Sequence, residues 1–161
     1  MLPFPYGTVL AQFTSVRQWA GYVTQGDRCA LVMGLTLRLR PGPGDKTFRG
    51  LSAASADVRN QPVLDNMFVK ANDVAMQILR TYGPQTLFLT GGNAPSNLNG
   101  LSGVVYLENC WKTRWGHVTG VKSGDHIDLW DGNVIEIYRN EPQLAVALVR
   151  NAERVWFWQC Q

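Results

Sequence analysis

The chain has 161 residues, of which 45% are apolar and 17% are charged, and its formal net charge is +3. Six Trp, six Phe and five Tyr supply enough apolar surface for a folded core, which excludes a disordered chain and predicts one domain over residues 1–161. Scattered basic residues predict no nucleic-acid partner. The sequence has no apolar run of about 18 residues and does not start like a secretory signal, so we expect synthesis in the cytoplasm without membrane insertion.

The N-terminal half is predicted to be helical. Apolar residues recur at helical spacing in three stretches, and the third stretch ends at a Tyr-Gly-Pro sequence typical of a helix terminus. These stretches are residues 11–23, a segment from about residue 28, and residues 70–81.

The second stretch is open to two interpretations. Leu31, Leu35 and Leu39 form one helical stripe, whereas residues 35–40 also alternate like a strand. A helix that begins after Asp27, as N-cap, is favoured.

The C-terminal half is predicted to form short strands separated by turns rich in Gly, Asn and Pro. The strands are Thr86–Thr90, Val104–Glu108, His126–Trp130, Val134–Tyr138 and Arg154–Trp158. Helices followed by an antiparallel sheet indicate an α+β fold.

The third and fourth strands are predicted to form a hairpin, for which two registers compete. A two-residue turn at 131–132 mixes polar and apolar side chains on one face. A three-residue loop pairs Leu129 with Ile135 and Ile127 with Ile137, and this wholly apolar face favours it. The other face then carries a polar group, namely His126, Asp128, Glu136 and Tyr138.

This polar face has the composition of a general-base site. An imidazole beside a carboxylate can be held in one tautomer and stabilised when it becomes an imidazolium. In the favoured register Glu136 lies opposite Asp128 and diagonal to His126, so either carboxylate is a candidate partner. The alternative is an exposed polar strand face with an incidental histidine.

A thiol is the group that such a base would activate. Of the three cysteines, Cys29 lies in the first turn of a predicted helix, where the helix dipole lowers a thiol pKa and backbone N–H groups can hold an oxyanion. Cys110 and Cys160 lack this setting and are interpreted as packing or incidental thiols, with Cys160 also a candidate disulfide partner. Cys29 is therefore the candidate nucleophile.

A zinc site is the competing chemistry. Cys110, His117, His126 and Asp128 could gather around a metal ion, but their spacing fits no compact zinc motif. The sequence therefore predicts no metal and no cofactor.

The chain resembles the fourth family of type VI secretion amidase effectors, which are bacterial toxins with a papain-like, NlpC/P60-type cysteine-peptidase fold. The sharpest similarity is Gly124-Asp125-His126-Ile127-Asp128-Leu129-Trp130-Asp131-Gly132, which is similar to the family's segment around its catalytic His. Cys29-Ala30, Trp19-Ala20-Gly21-Tyr22, residues 68–75 and residues 102–107 also resemble the family pattern.

The resemblance implies a reaction and its partners. The family hydrolyses the amide between D-glutamate and meso-diaminopimelate in peptidoglycan stem peptides. For this chain, the resemblance implies that Cys29 is the nucleophile and that His126 acts as base and then as acid. It implies injection by the type VI secretion apparatus into the periplasm of a rival cell, and a cognate immunity protein that blocks the active-site groove.

The third catalytic residue departs from the family pattern. The family usually has an Asp eleven positions after the His, where this chain has Ile137. Glu136 is the first choice and Asp128 the second. A degenerate member that binds peptidoglycan or an immunity protein without cleavage is the alternative function. For a hydrolase, Sγ of Cys29 is expected within about 4.5 Å of a ring nitrogen of His126.

Overall fold

The structure is a computed structural model that describes residues 1–20, 28–45, 67–111 and 124–161. Ten regular elements follow one another in the described part of the chain. They are helices α1 (Tyr6–Ala20), α2 (Arg28–Thr36) and α3 (Ala71–Tyr82), strand β1 (Leu87–Leu89), helix α4 (Ala94–Leu98), strands β2 (Gly103–Glu108) and β3 (His126–Trp130), the 3₁₀ turn Glu136–Tyr138, helix α5 (Pro142–Asn151) and strand β4 (Arg154–Gln159). No helix in these ranges is both apolar enough and long enough to span a bilayer.

Two helices end where the backbone adopts positive φ. After α2, Arg38 has φ of 53°, and Leu39 donates its backbone N–H back to the carbonyl oxygen of Gly34. After α3, Gly83 has φ of 88° and donates to the carbonyl oxygen of Leu79. Glycine adopts this conformation without the steric cost that a Cβ atom brings, which explains the predicted end of α3.

The four strands form one antiparallel sheet in the order β1-β4-β2-β3. β4 lies between β1 and β2, with Val105 opposite Phe157. β3 pairs with β2, so that Leu107 lies opposite His126 and Gly103 opposite Trp130. The strand that carries His126 is therefore one of the two edge strands of the described sheet.

Both faces of the sheet are covered by helices, because alternate residues of each strand point to opposite sides. One face packs against α1, α2 and α3 and is made of Val104, Tyr106, Ile127, Leu129 and Trp158. The other face packs against α4 and α5 and is made of Val105, Leu107, Trp130, Val155 and Phe157.

The sequence predictions of α2, α3 and four of the five strands are confirmed, and the predicted first helix begins five residues earlier, at Tyr6. The order of elements differs, because α4 and α5 interrupt the strands and were not predicted. The described elements are α and β with an antiparallel sheet, as the α+β prediction requires.

The predicted hairpin after β3 is wrong in both of its registers. Residues 134–138 form no strand; one bridge joins Trp130 to Ile135, and the chain then turns into the 3₁₀ turn. The carboxylate of Asp131 accepts the backbone N–H groups of Asn133 and Val134, which closes a tighter local turn than an extended strand permits. Glu136 consequently does not lie opposite Asp128 in a ladder.

Candidate active site

Cys29 is the second residue of α2, next to the N-terminal end of the helix. Helix α2 lies between α1 and α3 and packs its buried side chains against the sheet face that contains Ile127 and Leu129. The thiol side chain is half-buried, whereas Cys110 and Cys160 are buried. The N-terminal turn of a helix carries unpaired backbone N–H groups and a partial positive charge, which favour a thiolate and a developing oxyanion.

His126 and Asp128 form a buried pair on β3. Nε2 of His126 lies 3.1 Å from Oδ2 of Asp128, and the two residues are 4% and 2% exposed. Asp128 also accepts the backbone N–H groups of Leu129, at 2.7 Å, and Ile137, at 3.3 Å. These hydrogen bonds replace the water that the Asp128 carboxylate loses on burial. With Nε2 directed at Asp128, Nδ1 is the ring nitrogen that can exchange a proton with a reacting group.

Contacts between the end of β2 and the residues just before β3 fix the position of His126. The backbone N–H of Cys110 donates to the carbonyl oxygen of Gly124, and that of Asn109 donates to Asp125. The ring of Trp111 meets the His126 ring edge to face, with centroids 5.9 Å apart. Gly124 has φ of 82°, and a Cβ atom there would lie 3.1 Å from Trp111. The imidazole is thus held by packing as well as by Asp128.

Glu136 is 7% exposed and is bound by groups other than His126. Its carboxylate accepts the Tyr6 hydroxyl at 2.9 Å and pairs with the Arg139 guanidinium through two N–H groups. Burial, followed by the negative charge of Glu136, raises the pKa of Tyr6, and the hydrogen bonds to Glu136 raise the pKa of Arg139. Of the two candidate carboxylates, Asp128 is the one that contacts the imidazole.

A pocket of about 270 Å³ opens between α1, the start of α2 and β3. The pocket is lined by Cys29 and Asp128 and by two basic residues, Arg17 and Arg28. Its other walls are apolar and consist of Phe13, Ala20, Val32, Ile127 and Ile137. The candidate nucleophile and the carboxylate that contacts His126 therefore border the same pocket.

Asp27, the predicted N-cap, and His117, a candidate ligand in the rejected zinc site, lie outside the described residues. In the ranges that are described, no three His, Cys, Asp or Glu side chains lie close enough together to hold a metal ion. The distance between Cys29 and His126 stays a prediction.

Sequence reasoning missed four residues around this site. Arg28 directly precedes Cys29, so a search for basic residues beside the nucleophile finds it. Arg17 lies one helical turn after the buried Phe13 on α1, and this spacing places both on one side of the helix. Arg139 follows Glu136 by three positions, a spacing typical of ion pairs within a turn. Tyr6 is 130 positions from Glu136, and no local signal relates the two.

Comparisons with known proteins relate the chain to a family. Residues 25–158 match the model of Tae4, described as type VI secretion system (T6SS), amidase effector protein 4. No curated protein sequence matches the chain significantly.

Solved structures from Enterobacter cloacae and Salmonella Typhimurium are similar to this chain. A chain of the Tae4-Tai4 type VI effector-immunity complex from Enterobacter cloacae is similar with a TM-score of 0.61 and 13% identity, over 100% of both chains. A chain of the corresponding complex from Salmonella Typhimurium is similar with a TM-score of 0.59 and 12% identity, over 99% of this chain and 100% of that one. The effector Tae4 from Enterobacter cloacae gives 0.59 and 12%, over 100% and 98%. At these identities the likeness shows the fold.

Proposed function

The chain belongs to the type VI secretion system amidase effector 4 family, and from this premise we propose that it is a peptidoglycan amidase that uses a thiol nucleophile. The proposed substrate is the amide between D-glutamate and meso-diaminopimelate in stem peptides. The observation that carries the proposal is the pocket that Cys29 and Asp128 both line, with Asp128 bonded to His126.

The proposed reaction has two steps. Nδ1 of His126 takes the proton from the Cys29 thiol, the sulfur attacks the amide carbonyl carbon, and the imidazolium returns the proton to the leaving amine as the C–N bond breaks. Water then adds to the thioester with His126 again as base, which releases the carboxylate and the thiol. Backbone N–H groups at the start of α2 are the proposed donors to the oxyanion.

Asp128 is the proposed orienting carboxylate. Its contact with Nε2 of His126 favours the tautomer that has Nδ1 unprotonated and stabilises the imidazolium. Glu136 is proposed to act indirectly, because the 3₁₀ turn that it anchors carries Ile137, whose N–H group donates to Asp128.

The proposed setting follows from the family. The secretion apparatus would deliver the protein into the periplasm of a target bacterium, where peptidoglycan is exposed. An immunity protein that covers the active-site groove is the proposed partner, since related Tae4 structures are complexes with Tai4. Cys29 at a helix N-terminus packed on an antiparallel sheet supports a papain-like, NlpC/P60-type arrangement.

The test is incubation of the wild-type protein with diaminopimelate-type muropeptides, followed by mass spectrometry of the products. Cys29→Ala and His126→Ala are the active-site variants, and circular dichroism establishes that each is folded. Cleavage between D-glutamate and diaminopimelate by the wild type alone is expected.

Two other outcomes contradict the proposal. Intact muropeptides with a folded wild-type protein would indicate a binding module without catalysis. Cleavage that survives in Cys29→Ala would assign the nucleophile elsewhere.

A further inference from the structure

The pocket beside Cys29 combines apolar walls with two guanidinium groups. They belong to Arg17, on α1, and to Arg28, the residue before Cys29 on α2. A pocket with one hydrophobic surface and a few placed charges is typical of sites that fix the orientation of a small ligand.

The charge of this pocket is not neutralised within the described residues. There, Arg80, Arg139 and Arg154 each form an ion pair with a carboxylate, whereas neither Arg17 nor Arg28 does. Asp128 lines the same pocket, but its oxygens already accept His126 and two backbone N–H groups. The two guanidinium groups are thus available to an anion that enters the pocket.

The position of each arginine is compatible with recognition close to the reacting carbon. Nη1 of Arg17 donates at 3.4 Å to the backbone carbonyl oxygen of Glu136, which places its guanidinium beside the turn that carries Ile137. Arg28 is bonded to Cys29 through the backbone, so their Cα atoms are about 3.8 Å apart. A carboxylate held by these side chains lies in the same pocket as the thiol of Cys29.

We propose that this pocket is a carboxylate-binding subsite, in which Arg17 and Arg28 bind a carboxylate that neighbours the scissile amide. The inference rests on the proposed function and adds the chemical group by which the pocket recognises the substrate. Guanidinium groups pair with carboxylates through two parallel N–H donors, which gives orientation as well as affinity. The volume of 270 Å³ accommodates a group of about one amino-acid residue beside the thiol.

Two carboxylates of the proposed substrate have this chemistry. One is the α-carboxylate of the D-glutamyl residue and the other belongs to diaminopimelate. Three muropeptides distinguish them: one with both carboxylates free, one with the glutamyl α-carboxamide and one with the diaminopimelyl carboxamide.

The experiment measures kcat and KM of the wild type, Arg17→Gln and Arg28→Gln on the three muropeptides. Arg150→Gln is the control, because Arg150 is an exposed arginine on α5 outside this pocket. For the free substrate we expect each pocket variant to lose about ten-fold in kcat/KM, through KM, the low end for a charge-assisted hydrogen bond. Arg17→Lys should recover part of this loss.

The decisive comparison is between the muropeptide with free carboxylates and the muropeptides in which one carboxylate is amidated. Amidation of the recognised carboxylate should lower kcat/KM of the wild type about ten-fold. It should lower kcat/KM of the pocket variants little further, because they already lack the guanidinium group that binds this carboxylate. Equal losses by the variants on free and amidated substrates would overturn the subsite, since they would reflect a merely structural role. Variants with wild-type KM on the free substrate would overturn it as well.

A binding measurement separates this proposal from the proposed reaction. Titration calorimetry of the free muropeptide uses Cys29→Ala with and without Arg17→Gln. Weaker binding with the added substitution, without cleavage by the wild type, would support the subsite and contradict the amidase. Cleavage by the wild type with no arginine dependence in kinetics or binding would do the reverse.

Discussion

The hydroxyl group of Tyr6 donates a 2.9 Å hydrogen bond to Oε1 of Glu136, which joins the first helix to the turn that follows β3. The same carboxylate is bound by Arg139 from the end of that turn. Ile137 in this turn lines the pocket and donates its backbone N–H to Asp128. The contacts of Glu136 therefore hold a residue of the site in position, although Glu136 itself does not line the pocket.

Tyr6→Phe should lower the free energy of unfolding by about 1 kcal/mol, because Glu136 loses a hydrogen-bond donor in a buried place. Glu136→Ala removes the oxygen that accepts the Tyr6 hydroxyl, and a double-mutant cycle with Tyr6→Phe should give a coupling of about 0.5 kcal/mol or more. Urea unfolding measures both. Additive effects would contradict a direct interaction.

Asp128→Asn should reduce kcat at least about 100-fold, with a small change in KM, since the imidazole loses the charge that orients it. Glu136→Gln serves as the matched variant and should retain most of kcat. The muropeptide assay checks both. If Glu136→Gln loses kcat and Asp128→Asn keeps it, the roles assigned to the two carboxylates are reversed.

Iodoacetamide should label Cys29 before the other cysteines of the native protein, because Cys29 borders the pocket while Cys110 and Cys160 are buried. His126→Ala should slow this labelling several-fold at pH 7 if the imidazole stabilises the thiolate. Peptide mass mapping over time gives the rates. An unchanged rate in folded His126→Ala would contradict the coupling of the two side chains.

Gly34→Ala should destabilise the protein by about 1–3 kcal/mol, although alanine normally favours a helix. A Cβ atom at Gly34 would lie 2.7 Å from the ring of Phe68, which is completely buried and cannot move without disturbing the core. Gly7→Ala on α1 is the control, because nothing lies within 4 Å of its Cβ position. Thermal unfolding that ranks Gly34→Ala at or above the wild type would show that the ring relaxes.

Stability should fall more steeply at alkaline pH in the wild type than in Cys160→Ala. Burial raises the pKa of the Cys160 thiol from 9.0 to about 11. Between these values the unfolded chain has released a proton that the folded chain retains, so a rise in pH through this range favours unfolding, whereas below pH 9 the contribution of the thiol is fully present. Urea unfolding at pH 8 and pH 10.5 measures the slope, and parallel curves for the two proteins would contradict the expected ionisation.

Local patterns predicted the parts of the site that depend on neighbours in sequence. The apolar spacing after residue 28 placed Cys29 at a helix start, and the alternation of residues 126–130 placed His126 and Asp128 on one side of a strand. These are short-range consequences of helical and strand periodicity.

The prediction of a fourth strand failed because contacts with distant parts of the chain decide the conformation of this segment. Residues 134–138 alternate like a strand, but Glu136 is bound by Tyr6 and Arg139, and the ladder partner of β3 is β2.

Helix α5, in contrast, did have a local signal, since Pro142 begins it and Ala145, Leu148 and Val149 share a buried stripe. Its omission was an error of interpretation rather than a lack of information.

The central place of β4 bears on how the protein is made. Residues 154–159 are the last described strand to leave the ribosome, yet β1 and β2 both pair with them, and Leu2 donates its backbone N–H to the carbonyl oxygen of Gln159. A nascent chain that stops before these residues lacks the strand that joins both halves of the sheet. The sheet that supports His126 is therefore complete only after residues 154–159 have been synthesised, and a fragment that ends before them lacks the strand between β1 and β2.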